Sequence, residues 1–276
     1  MERTSRMDHT LRIGETQFFV RTEGKGMPLL LVHGFPLDHH MWDDVLPMLS
    51  EHHEVIAPDL RGFGCSDGFR EVVPMEMLAD DLDALLDALG VARPVIFCGL
   101  SMGGYIGWQM WKRHRDRLGA LIQLDTRAAA DTEIQARARG VNAMQTLAAG
   151  MKDVPKAMLP KLLGESTLQT KPEVSEALSA MILRQDPRAA AAAQRGMAQR
   201  PDVQSWLPEI SVPTLVLCGS EDAISPPDEM RSFAEAIPGA EFVEIEGAGH
   251  MIPMENPAAT AEAILLFCKQ IGIEEV

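Results

Sequence analysis

Residues 95–107, VIFCGLSMGGYIG, begin as a buried strand and then place a single hydroxyl group, that of Ser101, among glycines. The run over residues 95–98 is continuously apolar, as in a strand that is covered on both faces of a sheet. A helix is predicted to follow from about residue 102 to residue 115. The turn therefore lies at the amino end of a helix, where backbone N–H groups point towards whatever binds there.

The turn itself, residues 99–103, matches the G-x-S-x-G pattern in its required position between a strand and a helix. Such a turn holds the serine in a strained conformation and lifts its hydroxyl clear of the backbone. The glycines two positions before and after Ser101 remove Cβ atoms that would collide there. Five residues alone are a weak signal, but this position in the chain favours a nucleophilic serine.

Two further strand ends supply the partners that a serine nucleophile needs, a base and an acid that orients it. His250 is the predicted base, because it lies in the glycine-rich loop EGAGHMIPMENP directly after the last predicted strand. Asp222 is the predicted acid, because LVLCGSEDAISPP places it just past the preceding strand. Glu221 and Asp125 remain alternatives for the acid, and Asp125 also ends a strand near the site. The chain order serine, aspartate, histidine is the one expected for this type of turn.

A tetrahedral intermediate also needs donors for its oxyanion, and two backbone N–H groups are predicted to supply them. One belongs to Met102, the residue after the serine. The other belongs to Phe35 in HGFPLDHHMW, where Gly34 lets the backbone approach closely and Pro36 stiffens the chain. His33 is predicted to be a structural hydrogen-bonding residue rather than a catalytic one.

Five residues are weaker candidates for the substrate pocket. They are Gly34, Leu37, Trp42, Trp206 and Met251. For the two tryptophans, packing in the core is at least as good an explanation as contact with a substrate. Several methionines between residues 126 and 208 allow a pliable apolar lid, although methionine is also an ordinary filler of cores.

Alternating strand-like and helix-like segments predict an α/β fold, with a mostly parallel, doubly wound sheet of about eight strands. The alternation stops over residues 126–208, which contain only helix-like sequence such as PRAAAAAQRGMAQR. We therefore predict a core formed by residues 1–125 and 209–276, with a helical insertion between them. Because the insertion leaves from the carboxyl end of a strand, where ligands bind in such sheets, it is predicted to cover the site as a lid.

Composition excludes several other classes of function. The 276 residues carry a formal net charge of −15, whereas nucleic-acid binding relies on clustered Lys and Arg. No apolar run approaches the ~18 residues that cross a bilayer, and the opening MERTSRMDHT has no apolar signal-peptide core. A cytoplasmic protein that binds a small molecule, and neither nucleic acid nor a membrane, is the expected class. The sequence gives no indication of the oligomeric state.

No cofactor or metal ion is predicted. RGFGCSDG lacks both the GK[ST] ending of a phosphate-binding loop and the context of a dinucleotide site. The adjacent histidines at 39–40 and 52–53 point in divergent directions in any regular element. The cysteines are scattered without metal-ligand spacing and are expected to be free thiols: Cys65, Cys98, Cys218 and Cys268.

Five motifs in order, VHGFP, PDLRGFGCSDG, GLSMGG, CGSEDAISP and GAGHMIPMENP, resemble those of the α/β-hydrolase superfamily. The resemblance implies Ser101 as nucleophile, Asp222 as acid and His250 as base, and it supports Phe35 and Met102 as oxyanion donors. Dehalogenases and epoxide hydrolases of this superfamily use an aspartate as nucleophile, where this chain has serine. By eye the chain is most similar to small bacterial carboxylesterases, enol-lactonases and cofactor-free perhydrolases.

The predicted activity is hydrolysis of a small or medium carboxylic ester or lactone through an acyl-enzyme. The same three residues also permit a perhydrolase or haloperoxidase-like reaction, thioester hydrolysis or cleavage of a carbon–carbon bond. A ligand receptor that kept the fold without catalysis is the non-enzymatic alternative, and the complete set of three residues argues against it.

Overall fold

The computed structural model describes residues 6–272 and contains one sheet of eight strands within that range. In chain order the strands are β1 (Met7–Ile13), β2 (Thr16–Glu23), β3 (Met27–Val32), β4 (His53–Pro58), β5 (Val95–Leu100), β6 (Leu118–Leu124), β7 (Thr214–Gly219) and β8 (Glu241–Ile245). Their order across the sheet is β1-β2-β4-β3-β5-β6-β7-β8. The β1–β2 and β2–β4 pairs are antiparallel, and every other pair is parallel. This is the predicted α/β architecture.

The sheet is covered on both faces, which explains why its central strands are continuously apolar. Successive side chains of β5 point to opposite faces, so that Val95 and Phe97 enter one apolar cluster and Ile96 and Cys98 enter the other. On one face lie α2 (Met75–Ala88), α3 (Met102–Arg113) and α9 (Pro227–Glu235). On the other lie α1 (Leu46–Leu49), α10 (Ile252–Glu255) and α11 (Pro257–Gln270). The carboxyl ends of the parallel strands therefore meet at one edge between two packed layers.

Two local differences from the sequence prediction concern the amino-terminal third. The stretch MWDDVLPMLSEH is helix-like in sequence and predicts one short helix, whereas the structure has the end of a 3₁₀ turn at His39–Trp42 and the separate helix α1. Pro47 lies in the first turn of α1, where a missing N–H costs nothing but the chain cannot continue an earlier helix. The edge strand β1 was not predicted, because it is largely exposed and lacks an apolar run.

Residues 126–208, here called the inserted segment, lie between β6 and β7 and contain five helices among their described residues. These are α4 (Glu133–Ala149), α5 (Val154–Leu162), α6 (Glu165–Thr170), α7 (Pro172–Leu183) and α8 (Pro187–Met197). Its buried apolar residues, such as Leu162 and Met181, share a cluster with Leu37 and Met251 of the loops at the sheet edge. The inserted segment is therefore packed against that edge, and its role as a lid stays a prediction.

The described cysteines are all free, with Cys65 exposed and the other three buried. Within residues 6–272, none of the helices combines the length and the apolar character needed to cross a membrane. The first five residues of the opening segment, where no signal peptide was predicted, lie outside the described range.

Candidate active site

Ser101 occupies the turn between β5 and α3 with a backbone φ of 55° and ψ of −109°. A positive φ is costly for a residue with a side chain, so the surrounding structure must hold it in place. The Ser101 N–H donates to the carbonyl of Leu124 at 2.9 Å, and the Thr126 hydroxyl donates to the carbonyl of Ser101 at 2.8 Å. The end of β6 thus fixes the strained turn. Ser101 itself is partly buried.

Close backbone packing explains the glycines around this serine. A Cβ atom on Gly103 would lie 2.2 Å from the carbonyl oxygen of Val32, and one on Gly99 would lie 2.4 Å from that of Gly103. A Cβ atom on Gly34, in the loop after β3, would lie 2.9 Å from Cδ2 and 3.3 Å from the carbonyl oxygen of Leu100, the residue before the serine. The helix, the strand and the loop converge on the serine because these positions carry no side chains.

The structure brings Ser101, His250 and Asp222 together beyond the carboxyl ends of β5, β8 and β7, which belong with β6 to the last four strands of the sheet. The Nε2 atom of His250 lies 2.8 Å from Oγ of Ser101, and its Nδ1 atom lies 2.8 Å from Oδ2 of Asp222. Because an ionised carboxylate only accepts hydrogen bonds, Nδ1 carries the proton and Nε2 is left to accept the serine proton. This is the geometry that a base and its orienting acid require.

Asp222 is held in place by the turn that contains it. Its Oδ1 atom accepts hydrogen bonds from the N–H groups of Ile224 at 2.7 Å and Ser225 at 3.1 Å. Its own N–H donates to the carbonyl of Gly219 at 3.1 Å. One oxygen therefore binds the backbone while the other faces His250.

Neither alternative acid bonds to His250 in the structure. Glu221 instead accepts hydrogen bonds from the N–H and hydroxyl of Ser166 in the inserted segment, and these contacts lower the pKa of its carboxyl group. Asp125 is fully buried, with a φ of 42°, and its Oδ1 accepts from the N–H of Gly219 at 2.9 Å. Burial, followed by the nearby charge of Asp222, raises the pKa of Asp125 well above its ordinary value. Asp125 thus binds the backbone of β7 and not the imidazole of His250.

The next feature is the pair of backbone N–H groups that are predicted to bind an oxyanion. Among the described residues, neither the N–H of Met102 nor that of Phe35 donates a hydrogen bond. The nearby His33 accepts from the N–H of Leu60 at 3.0 Å and donates from Nδ1 to the carbonyl of Gly34 at 2.9 Å. Burial lowers the pKa of His33, so it is a neutral hydrogen-bonding residue that supports the loop, in line with the prediction.

Four of the five weaker pocket candidates fall into two groups, and the fifth, Gly34, lies in the loop beside Ser101. Leu37, Trp42 and Met251 are fully buried in the apolar cluster that underlies the site, so packing accounts for them. Trp206 lies elsewhere, with its ring 6.4 Å from that of Trp111 between centroids. Because Trp111 lies ten residues along α3 from the serine, about 15 Å away along the helix, the structure does not bring Trp206 to the site.

One link between the site and the inserted segment was not predicted. Asp38, in the loop after β3, receives two hydrogen bonds of 2.7 Å from the guanidinium of Arg184 and one of 2.8 Å from the amide of Gln185. Burial alone would raise the pKa of Asp38, but the bonds to Arg184 outweigh it and lower the pKa to about 2. No local pattern in the sequence indicates a contact between residues so far apart in the chain.

Comparison with known proteins agrees with this architecture. The family described as "alpha/beta hydrolase fold" matches residues 27–257, which is most of the chain. The chain belongs to the α/β-hydrolase family. This α/β hydrolase is 30% identical over 88% of its length to an AB hydrolase superfamily protein, YisY, from Bacillus subtilis, 92% of which is covered.

Two solved structures resemble this hydrolase along nearly its whole length. A thermophilic esterase from Thermogutta terrifontis, with malate bound, is 42% identical with a TM-score of 0.92, covering 97% of this chain and 99% of that protein. An enol-lactonase from Burkholderia xenovorans LB400 is 27% identical with a TM-score of 0.87, covering 95% and 100%. Both the predicted family and the predicted fold are therefore confirmed.

Proposed function

We propose that this hydrolase cleaves a small or medium carboxylic ester or lactone through an acyl-enzyme formed on Ser101. The observation that carries the proposal is the continuous contact of three side chains, with 2.8 Å from Ser101 Oγ to His250 and 2.8 Å from His250 to Asp222. A serine that is already hydrogen-bonded to an oriented base has the arrangement for attack on a carbonyl carbon.

In the proposed mechanism, His250 removes the hydroxyl proton as Ser101 Oγ forms a bond to the carbonyl carbon. Asp222 stabilises the imidazolium, and the N–H groups of Phe35 and Met102 donate to the oxyanion. One such donor is worth roughly 10²–10³ in rate. The imidazolium then returns the proton to the leaving alcohol as the C–O bond breaks. Water, deprotonated by His250, attacks the acyl-enzyme and releases the acid and the free serine.

The choice of ester and lactone substrates rests on the relatives and on the nucleophile. The esterase and the enol-lactonase are the two structures described above, at 42% and 27% identity. A serine nucleophile gives an acyl-enzyme, whereas aspartate at this position belongs to a different chemistry. No specific contact among the described residues of the site favours perhydrolysis, thioester hydrolysis or cleavage of a carbon–carbon bond.

The inserted segment is proposed to act as the lid of this site. The carbonyl of Leu162 accepts the backbone N–H of His250 at 3.0 Å, so the end of α5 contacts the loop that carries the base. Apolar side chains of the segment, among them Leu178 and Met181, pack with the loops at the sheet edge. A cytoplasmic location stays a prediction.

The substitution Ser101→Ala tests the proposal. It removes the attacking atom and is expected to lower kcat on p-nitrophenyl butyrate by at least roughly 10³-fold. The measurement is initial-rate kinetics at equal protein concentration, and matching circular dichroism spectra and thermal midpoints show that the variant folds. Turnover at the wild-type rate by the folded variant would contradict the proposal.

A substrate panel then separates esters from lactones. The series comprises p-nitrophenyl esters of increasing acyl length and γ- and δ-lactones of matched carbon number, with kcat/KM for each. The proposal expects measurable hydrolysis in at least one of these two classes and its loss in Ser101→Ala. Activity confined to a thioester or to peroxide-dependent chemistry would overturn the choice of substrate class.

A further inference from the structure

Glu255, at the end of the short helix α10, is completely buried five residues after His250. Its Oε1 atom accepts hydrogen bonds from the N–H of Gly249 at 3.0 Å and that of Met251 at 2.9 Å. Its Oε2 atom accepts from the N–H of Gly164 at 2.8 Å. One carboxylate thus binds three backbone N–H groups from two distant parts of the chain.

These three donors explain how a carboxylate is tolerated at this depth. Within residues 6–272, no cationic side chain forms an ion pair with the Glu255 carboxylate. The neighbouring Lys171 donates instead to the backbone carbonyl of Glu255 at 2.5 Å. Burying a charged group is costly unless it is hydrogen-bonded, and bonds to an ionised acceptor are among the strong ones. The three N–H groups therefore hold the Glu255 carboxylate in place, and the carboxylate in turn holds the three peptide groups in place.

The bound peptides are those on either side of the proposed base. Gly249 and Met251 flank His250, so Glu255 fixes the backbone immediately before and after it. The N–H of His250 itself donates to the carbonyl of Leu162 in the inserted segment at 3.0 Å. The position of the imidazole is consequently set both by Glu255 and by the inserted segment.

The third donor, Gly164, ties the inserted segment to the same carboxylate. A Cβ atom on Gly164 would lie 2.9 Å from the nitrogen of Gly249, and one on Gly249 would lie 2.3 Å from the nitrogen of Gly164. The two backbones can lie side by side only because both residues are glycine. Glu255 joins them where they come closest.

We propose that Glu255 is a positioning residue, which aligns His250 with Ser101 and couples that alignment to the seating of the inserted segment through Gly164. This inference rests on the proposed serine-hydrolase function. The alternative is that Glu255 contributes only to folding. A role in positioning predicts a loss of reactivity in a folded protein, whereas a role in folding alone predicts a loss of stability.

The substitution Glu255→Gln separates these roles. The glutamine oxygen can still accept from Gly249 and Met251, but its amide nitrogen then faces the N–H of Gly164, and two donors cannot bond to each other. We expect kcat on a p-nitrophenyl ester to fall 10- to 100-fold with KM changed less than threefold. The rate at which a fluorophosphonate probe labels Ser101 should fall by a similar factor, because it depends on the base and not on the natural substrate.

Glu221→Gln is the matched control. Glu221 also binds the inserted segment, through Ser166, but its carboxylate does not bind the backbone beside His250. We expect this variant to keep kcat within about twofold of the wild type. A similar loss of kcat in both variants, or a folded Glu255→Gln with wild-type kcat and labelling rate, would overturn the inference.

Glu255→Asp keeps the test decisive if the glutamine variant does not fold. It retains the charge but withdraws the carboxylate by one methylene, and it is expected to lower kcat at least fivefold below its unfolding temperature. A folded aspartate variant with wild-type kcat and labelling rate would overturn the inference. Failure of the proposed function can be distinguished from failure of this inference. If the proposed function is wrong, Ser101→Ala has the same kcat as the wild type, whichever residue is present at position 255.

Discussion

At the scale of single residues, two aspartates at neighbouring strand ends differ in their hydrogen-bond partners. Asp222 receives two backbone N–H groups on one oxygen and faces His250 with the other. Asp125 receives the N–H of Gly219 and does not bond to His250, and burial followed by the charge of Asp222 raises its pKa. The acid that orients the base is thus the one whose second oxygen the turn leaves facing His250.

This difference predicts opposite results for two conservative substitutions. Asp222→Asn presents an amide where His250 needs an acceptor, which favours the wrong tautomer, and kcat is expected to fall by roughly 10⁴-fold. Asp125→Asn keeps the shape of the side chain and leaves the contacts of His250 unchanged, so kcat/KM on the same ester should stay within about threefold. Steady-state kinetics on both folded variants provide the measurement, and the reverse ranking would assign the acid to Asp125.

The sequence could predict the serine, the base and the preferred acid because each directly follows a predicted strand. It could not exclude Asp125, since that choice depends on which oxygen lies within 2.8 Å of the imidazole. Glu255 was not predicted for a similar reason. Its role depends on Gly164, 91 residues away, and no local pattern reports such a contact.

At the scale of elements, the contact that joins the end of α7 to the loop after β3 is an ion pair reinforced by hydrogen bonds. Asp38 accepts from Arg184 and Gln185, which directly follow α7, and also from the N–H of His40 in the 3₁₀ turn. Gln185 extends the link, since its amide oxygen accepts the N–H of Gly64 at 3.0 Å. The inserted segment is thereby fastened to two loops of the core.

This link predicts a stability that depends on pH. Because the pKa of Asp38 is lowered to about 2 from an ordinary 3.8, its contribution is fully present above that ordinary value and is lost as pH falls through about 2. Asp38→Asn is therefore expected to lower the free energy of unfolding by about 2 kcal/mol at pH 7 and by about 1 kcal/mol at pH 3. Urea unfolding of both proteins at the two pH values measures it. An equal loss at both values would contradict an ionised Asp38 as the cause.

The strands and helices at the centre of the sheet could be predicted from the sequence, whereas those at its periphery were predicted less accurately. The apolar run of β5 and the glycine turn after it identified a buried strand and the start of α3 correctly. The predicted helix ended at residue 115, while α3 ends at Arg113. Edge strand β1 is largely exposed, so its sequence lacks the apolar pattern of a buried strand. Its strand conformation comes from its pairing with β2.

At the scale of the whole molecule, the order of strands brings distant segments to one edge of the sheet. Strands β5, β6 and β7 are successive parallel strands of the sheet, so Ser101 and Asp222 meet although they are more than a hundred positions apart in the chain. The inserted segment leaves and returns at the same edge. The alternation in the sequence predicted this sheet, but the seating of the inserted segment depends on contacts that only the folded chain forms.

The account rests on Ser101 being the nucleophile of this hydrolase, and covalent labelling tests that claim most directly. Folded wild-type protein and the Ser101→Ala variant are treated with a fluorophosphonate probe and compared by intact-mass spectrometry and peptide mapping. The account predicts one adduct per chain, located on Ser101 and absent from the variant. No adduct on the wild type, or an equal adduct on the variant, would contradict it and would favour a ligand receptor or a different nucleophile.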